Sequence, residues 1–266
     1  MDKFLRLGLA LLTTVIAAAA LHCGPGGEGA QRPGSDASAP GSVQAADVEH
    51  RAAIDSAALY LRRGRLYMKE RVYSRAISQL RQSVRINPDA PAAHGMLGLA
   101  YALRLKPGTA IEHLEQAIAL EPENGTHYMH LGKSHMLLTD YAAAKAAYER
   151  AITLGLKRGK PYYDLGIISE RDNRLDDAHE LYQKAIDLVP EFAPQCNLRL
   201  GIIAQKQGDD TGAMELYLRA LRGDPDLTTA HYRIAQLYLE SGHDALAQTH
   251  LQQFQQLKAA AGHQGL

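Results

Sequence analysis

From about residue 57 onward, apolar and polar positions alternate with the spacing of amphipathic helices. In the stretch 91–124, His94, Leu97, Gly98 and Tyr101 stand at i, i+3, i+4 and i+7 and so share one helical face. Tyr128, Leu131, Gly132 and His135 repeat that face in 125–158. Leu-Gly pairs recur at Leu97-Gly98, Leu131-Gly132, Leu165-Gly166 and Leu200-Gly201, spaced by 34, 34 and 35 residues. Twelve places after each Gly comes a small residue (Ala110, Ala144, Ala178, Ala213), with Ala76 and Ala247 in the same register. A second small residue follows at Ser83, Ala117, Ala151, Ala185 and Ala220. Between the two small residues stands Leu80, Leu114, Tyr148, Tyr182, Tyr217 or Leu251. Pro88, Pro122, Pro190 and Pro225 close their units, because proline cannot continue a helix. Each unit therefore predicts two helices joined by a tight turn. The small residues let the helices approach closely.

A unit of this kind cannot stand alone. Ordering its residues costs on the order of 50 kcal/mol at about 1.5 per residue. One helix pair buries too little to offset that, so neighbouring pairs must stack. The pattern resembles the tetratricopeptide repeat, with units at 57–90, 91–124, 125–158, 159–192, 194–227 and 228–258. The resemblance implies an all-α, right-handed α-solenoid of six stacked hairpins. Residues 47–56 are expected to extend or cap the first helix, and 259–266 to form a tail. Two departures stand out. Unit three lacks its proline and carries Leu156 inside Gly155-Leu156-Lys157-Arg158-Gly159-Lys160, which predicts an irregular basic bend. Unit two replaces the usual turn aromatic with Lys106-Pro107-Gly108. The glutamines around Leu251, Phe254 and Leu257 suit a terminal helix with a solvated outer face.

The first 22 residues read as a signal peptide: basic Lys3 and Arg6, then an apolar run from Leu7 to Leu21. Fifteen residues reach about 22 Å, short of the roughly 30 Å hydrocarbon core. Cys23 follows, in a setting that resembles a bacterial lipoprotein signal and implies lipidation at Cys23. Ala20 and His22 depart from that pattern, and cleavage after Ala18-Ala19-Ala20 is the alternative. The stretch 23–46 is rich in Gly, Pro, Ser and Ala and is expected to be a flexible tether reaching roughly 25–30 Å. The expected location is the bacterial envelope, as an outer-membrane-anchored periplasmic lipoprotein. A soluble periplasmic protein is the alternative.

Charge is balanced, with 29 Lys+Arg against 29 Asp+Glu, which offers no long-range attraction to nucleic acid or an anionic membrane. All 13 tyrosines fall between Tyr60 and Tyr238, as reused repeat slots require. Two cysteines are too few for a disulfide scaffold, and Cys196 occupies a small, buried repeat position. His127, His130 and His135 are the candidate metal cluster, but the sequence shows no Cys or carboxylate to complete it, so neither metal nor cofactor is expected. Asn124-Gly125-Thr126 reads as an inter-repeat turn. No Ser-His-Asp order, phosphate loop or paired-acid motif stands outside the repeat positions, and the chain is not expected to be an enzyme.

In tetratricopeptide proteins the second face of the first helix lines a concave groove. Here that face carries Leu61, Gly95, Met129, Tyr163, Leu198 and Tyr232 at one position, and Arg65, Leu99, Lys133, Ile167, Ile202 and Gln236 four residues on. Arg62, Met96, His130, Arg199, Arg233, Met68 and Met136 flank them. Flexible methionines amid basic residues suit a partner peptide with apolar anchors and acidic or C-terminal groups. The other reading packs these side chains between successive first helices. The carboxylate clamp of chaperone-binding relatives is not matched, since its places hold Leu61, Arg65, Met96, Thr126 and His130. The expected function is a protein-binding scaffold or adaptor. The chain also resembles the type IV pilus pilotins in repeat count, N-terminal cysteine, proline-less third unit and Leu251–Phe254 ending. Its His130-Leu131-Gly132-Lys133-Ser134 departs from that family's Asn-Tyr-Gly stretch. A third reading is an accessory that presents substrates to a separate envelope enzyme. Mass analysis of the mature N-terminus is expected to find an acylated Cys23, and an unmodified chain beginning at Leu21 would favour the soluble alternative.

Overall fold

Twelve α-helices follow one another through the computed structural model, which describes residues 40–263. The helices are α1 (Pro40–Lys69) and α2 (Tyr73–Ile86), α3 (Pro91–Leu103) and α4 (Pro107–Leu120), and α5 (Gly125–Leu137) and α6 (Tyr141–Thr153). They continue as α7 (Gly159–Arg171) and α8 (Leu175–Leu188), α9 (Ala193–Lys206) and α10 (Asp210–Gly223), and α11 (Thr228–Glu240) and α12 (Asp244–His263). A 3₁₀ turn, Pro190–Phe192, separates α8 from α9. From α3 onward each helix packs most closely against its hairpin partner, each second helix packs next against the first helix of the following hairpin, and α3 also touches α5. This is an all-α solenoid. The chain divides into two units, 1–45 and 46–266, and the hairpins belong to the second.

The stretches expected to be signal peptide and tether, as far as residue 39 and including Cys23, lie outside the described residues. Helix α1 begins at Pro40, inside the stretch expected to be tether. Proline suits a first helical position, and Gln44, Ala45 and Ala46 are good helix formers. At the other end α12 runs on to His263 through Ala259–Ala261, past the expected end at 258. Among the described residues no helix is long and apolar enough to cross a membrane.

The repeat positions explain the packing. Ala76, Ala110, Ala144, Ala178, Ala213 and Ala247 are fully buried, as are Leu80, Leu114, Tyr148, Tyr182 and Tyr217. Each large side chain sits over the glycine of its own hairpin's first helix. A Cβ on Gly132, Gly166 or Gly201 would stand 2.7, 2.5 or 2.5 Å from the tyrosine ring opposite. On Gly64 or Gly98 it would stand 2.7 or 2.6 Å from leucine carbons. The tyrosine hydroxyls do not go unpaired. Tyr148 donates to Asp164 (2.6 Å), Tyr182 to Glu170 (3.2 Å) and Tyr217 to Gln205 (3.0 Å). Ser83 does comparable work between the first two helices, donating to the Ala57 carbonyl at 2.8 Å. Cys196 is fully buried, and burial pushes its thiol up to about 12.

Every turn within a hairpin uses a left-handed residue after the first helix. Arg71, Leu105, Thr139 and Asn173 take φ of 59, 56, 58 and 58°, and Gly208 and Gly242 take 81 and 76°. Unit three, lacking its proline, closes its second helix the same way. The Gly155 N–H donates to the Ile152 carbonyl (2.8 Å) and the Leu156 N–H to the Ala151 carbonyl (3.1 Å), a Schellman ending.

Gly166→Ala is expected to cost about 1–3 kcal/mol in urea unfolding, because the added methyl meets the Tyr182 ring. Gly108→Ala, in open space on α4, should instead stabilise by about 0.5–1 kcal/mol. Equal effects at the two sites would contradict the close-approach account.

Candidate functional site

The most concentrated chemistry on the first-helix face lies around unit three. Leu99 comes from α3, and Met129, His130 and Lys133 from one side of α5. The linker after α6 brings Lys157 and Arg158, and α7 opens with Gly159 and Lys160. Val189 and Phe192 complete the wall from the far end of unit four. Together they enclose a cavity of about 520 Å³. Gly159 makes the enclosure possible. A Cβ there would stand 2.9 Å from the Ala185 carbonyl oxygen, 3.0 Å from the Phe192 ring and 3.2 Å from Val189. Without one, the start of α7 seats against the end of α8, and Val189 and Phe192 reach the cavity.

The cavity joins an apolar floor (Leu99, Met129, Val189, Phe192) to a cationic rim (Lys133, Lys157, Arg158, Lys160). Lys160 is engaged: its ammonium lies 2.6 Å from Asp164 and 5.1 Å from the Tyr163 ring centroid. Asp164 is itself buried and also accepts from the Tyr148 hydroxyl, so its charge is heavily used. Lys133, Lys157 and Arg158 have no ion-pair partner among the described residues. Burial, and then the neighbouring Lys160, hold the Lys133 ammonium below the ordinary lysine value, with Asp164 opposing. The rim also crowds cations at the N-terminus of α7, whose N-cap Arg158 makes no capping bond and whose first turn contains no acid. The helix dipole disfavours positive charge there by about 0.3–1 kcal/mol per group.

The other candidate groove residues are dispersed along the solenoid. Leu61, Met68 and Met96 pack onto the core between α2 and α3, and Met136 onto the core around Tyr148. Met129 belongs to that same core and is 9% exposed, so only part of it faces the cavity. Tyr163 and Ile167 pack beside Tyr182, and Leu198 and Ile202 beside Tyr217. Gly95 is not a groove position at all, since the His127 ring lies over it and would stand 2.5 Å from an added Cβ. Arg199 is an ion-paired cation, 3.6 Å from Glu170, which also takes Lys206 at 3.0 Å. Arg65 donates to the Met96 sulfur at 3.4 Å, and Arg62 is exposed. Tyr232 is exposed, its ring 5.3 Å from Phe254 and its hydroxyl accepting from Gln236. The Arg233 Nε is buried with no hydrogen-bond partner.

Lys157, Arg158, Lys160, Val189 and Phe192 were not among the candidate site residues. The missing proline and basic run of unit three were the available signal for the first three. The candidate metal cluster does not assemble: His127 pairs with Glu121 at 3.1 Å and His135 with Asp140 at 3.5 Å, two carboxylates that its spacing did not reveal. Among the described residues no group of three or more His, Cys, Asp or Glu is placed to hold a metal ion.

The tetratricopeptide repeat family profile matches residues 61–108, 104–162 and 163–228. No curated protein sequence matches the chain. Among solved structures, a chain of the APC/C hetero-tetramer Cut9–Hcn1 superposes with a TM-score of 0.68 at 20% identity, over 79% of this chain. This chain spans only 42% of that one. PilF of Pseudomonas aeruginosa superposes at 0.66 and 20% identity, over 80% of this chain and 99% of its own. YrrB, described as a TPR protein with an unusual peptide-binding site, superposes at 0.54 and 17% identity, over 70% of this chain and 98% of its own. At these identities the likeness concerns the fold.

Burial disfavours the charged form of three histidines, His113, His130 and His250. His130, at the cavity, is pushed down to about 4 by burial, then by Lys133, His127 and Arg158. His94 and His113 meet Nδ1 to Nδ1 at 3.3 Å, while the His94 Nε2–H donates to the Pro88 carbonyl at 2.9 Å. With a neutral His94 ring, that bond leaves its Nδ1 as acceptor and the His113 Nδ1–H as donor. His231 and His250 repeat the arrangement at 3.0 Å, with the Pro225 carbonyl at 3.0 Å. Burial and then the partner imidazole lower both His113 and His250. Below about pH 6.5 the unfolded chain therefore binds more protons than the folded one. Stability from these groups is complete above that value and is lost as pH falls from it through their depressed folded-state values. A His113→Gln/His250→Gln variant should show a flatter stability profile between about pH 7 and 5 in denaturant melts. An unchanged slope would contradict the lowering of His113 and His250 by burial.

Proposed function

This chain belongs to the tetratricopeptide repeat family, and from that premise we propose that it is an adaptor of the bacterial envelope that holds a partner protein against its first-helix face. One observation carries the reading: around unit three an apolar floor and three cations without ion-pair partners converge on one cavity. A scaffold with only structural duties gains nothing from repelling charges gathered at a helix start. The proposed envelope location rests on the apolar N-terminal run and Cys23, with the lipid anchor as the route to the membrane. Within the envelope, a pilotin-like role in secretin assembly is the second reading. It is supported by the six-unit length and by the superposition over 99% of PilF.

A photoreactive residue in place of exposed Lys157 tests the adaptor reading in cells. The expected result is a discrete crosslinked protein, identified by mass spectrometry, that a Lys133→Glu/Arg158→Glu variant no longer captures. A secretin among the products would favour the second reading, and an envelope enzyme would favour the accessory one. Crosslinks only from sites on the second helices, with none from Lys157, would overturn the placement.

A further inference from the structure

We propose that the cavity around Met129 is an anchor site for an internal acidic segment of a partner, one large apolar side chain flanked by carboxylates. The proposal deepens the adaptor reading and rests on it. Its basis is charge arithmetic on the rim. Of four lining cations, Lys160 is taken by Asp164, leaving Lys133, Lys157 and Arg158 facing the space without a carboxylate within ion-pairing distance. A single C-terminal carboxylate answers one of three. Two or more acidic side chains answer the set, and Arg158 offers a planar fork suited to bidentate carboxylate binding.

The floor supplies the second requirement. Leu99, Met129, Val189 and Phe192 form an apolar surface in about 520 Å³, room for one large side chain with its neighbours. Met129 and Phe192 can adapt and stack, so the anchor is aliphatic or aromatic. His130 is neutral at physiological pH and adds hydrogen bonding without adding charge. The site also carries a mark of ligand use in its electrostatics. Three basic residues surround the positive end of α7, and a bound carboxylate at that place interacts favourably with both the dipole and the rim.

The probe is a terminally blocked hexapeptide, a Leu-Phe pair with two glutamates on each side, titrated into the full mature chain by fluorescence anisotropy. Binding should weaken steeply with added salt. It should fall at least tenfold when lysines replace the glutamates or serines replace the Leu-Phe pair. A Lys157→Glu/Arg158→Glu variant, changed only at exposed side chains, should keep its helical signal and unfolding midpoint while losing at least tenfold in affinity. Equal binding of the acidic and basic peptides, or unaltered binding by the variant, would overturn the proposal. So would chain binding to phosphate-bearing vesicles in place of the peptide. Should the peptide fail while crosslinking from Lys157 still captures a partner, the adaptor reading stands and this assignment falls.

Discussion

The close approach of a large side chain to a bare glycine sets the geometry of this molecule. In five hairpins the first helix presents Gly64, Gly98, Gly132, Gly166 or Gly201, and the second lays Leu80, Leu114, Tyr148, Tyr182 or Tyr217 directly on it. A methyl group is too much at any of these points. Because the contact recurs at one place in these five units, their hairpins share one internal geometry, and stacking them aligns their first helices. The tyrosine hydroxyls then bind acceptors on the first helices, Asp164 reaching across to the next unit. The three tyrosine-bearing hairpins are thereby tied to polar partners as well as packed.

Departures from the repeat matter because the rest is so regular. Unit three ends its second helix with Gly155 in a left-handed conformation where its neighbours use proline. The exit path brings Lys157 and Arg158 to the first-helix face, and Gly159 lets α7 settle against Val189 and Phe192. One irregular linker thus assembles a cavity from elements of units two to four. The cations it places at the start of α7 conflict with the helix dipole. Local conflicts of that kind are expected where a protein meets a ligand.

The helical hairpins and their buried small positions were legible in the sequence because they repeat: Ala76 and its equivalents have one job each and show it in register. The cavity was only half legible. Met129, His130 and Lys133 follow from helical periodicity, but Val189 and Phe192 come from another unit, and only the packing at Gly159 brings them in. Charge pairing was hidden for the same reason. Arg199 read as an open cation, yet Glu170, 29 residues away, lies beside it. Leu105 and Thr139 gave no turn signal, since neither residue favours the left-handed conformation it adopts.

The account stands or falls on where a partner touches the solenoid, and the methionines report that directly. Met129 lines the cavity around unit three, whereas Met214, on α10, lines a separate one with Leu237 and Glu240. In methyl-labelled NMR spectra of the chain, adding the purified partner should shift the Met129 signal and leave Met214 in place. A shifted Met214 beside an unmoved Met129 would contradict it.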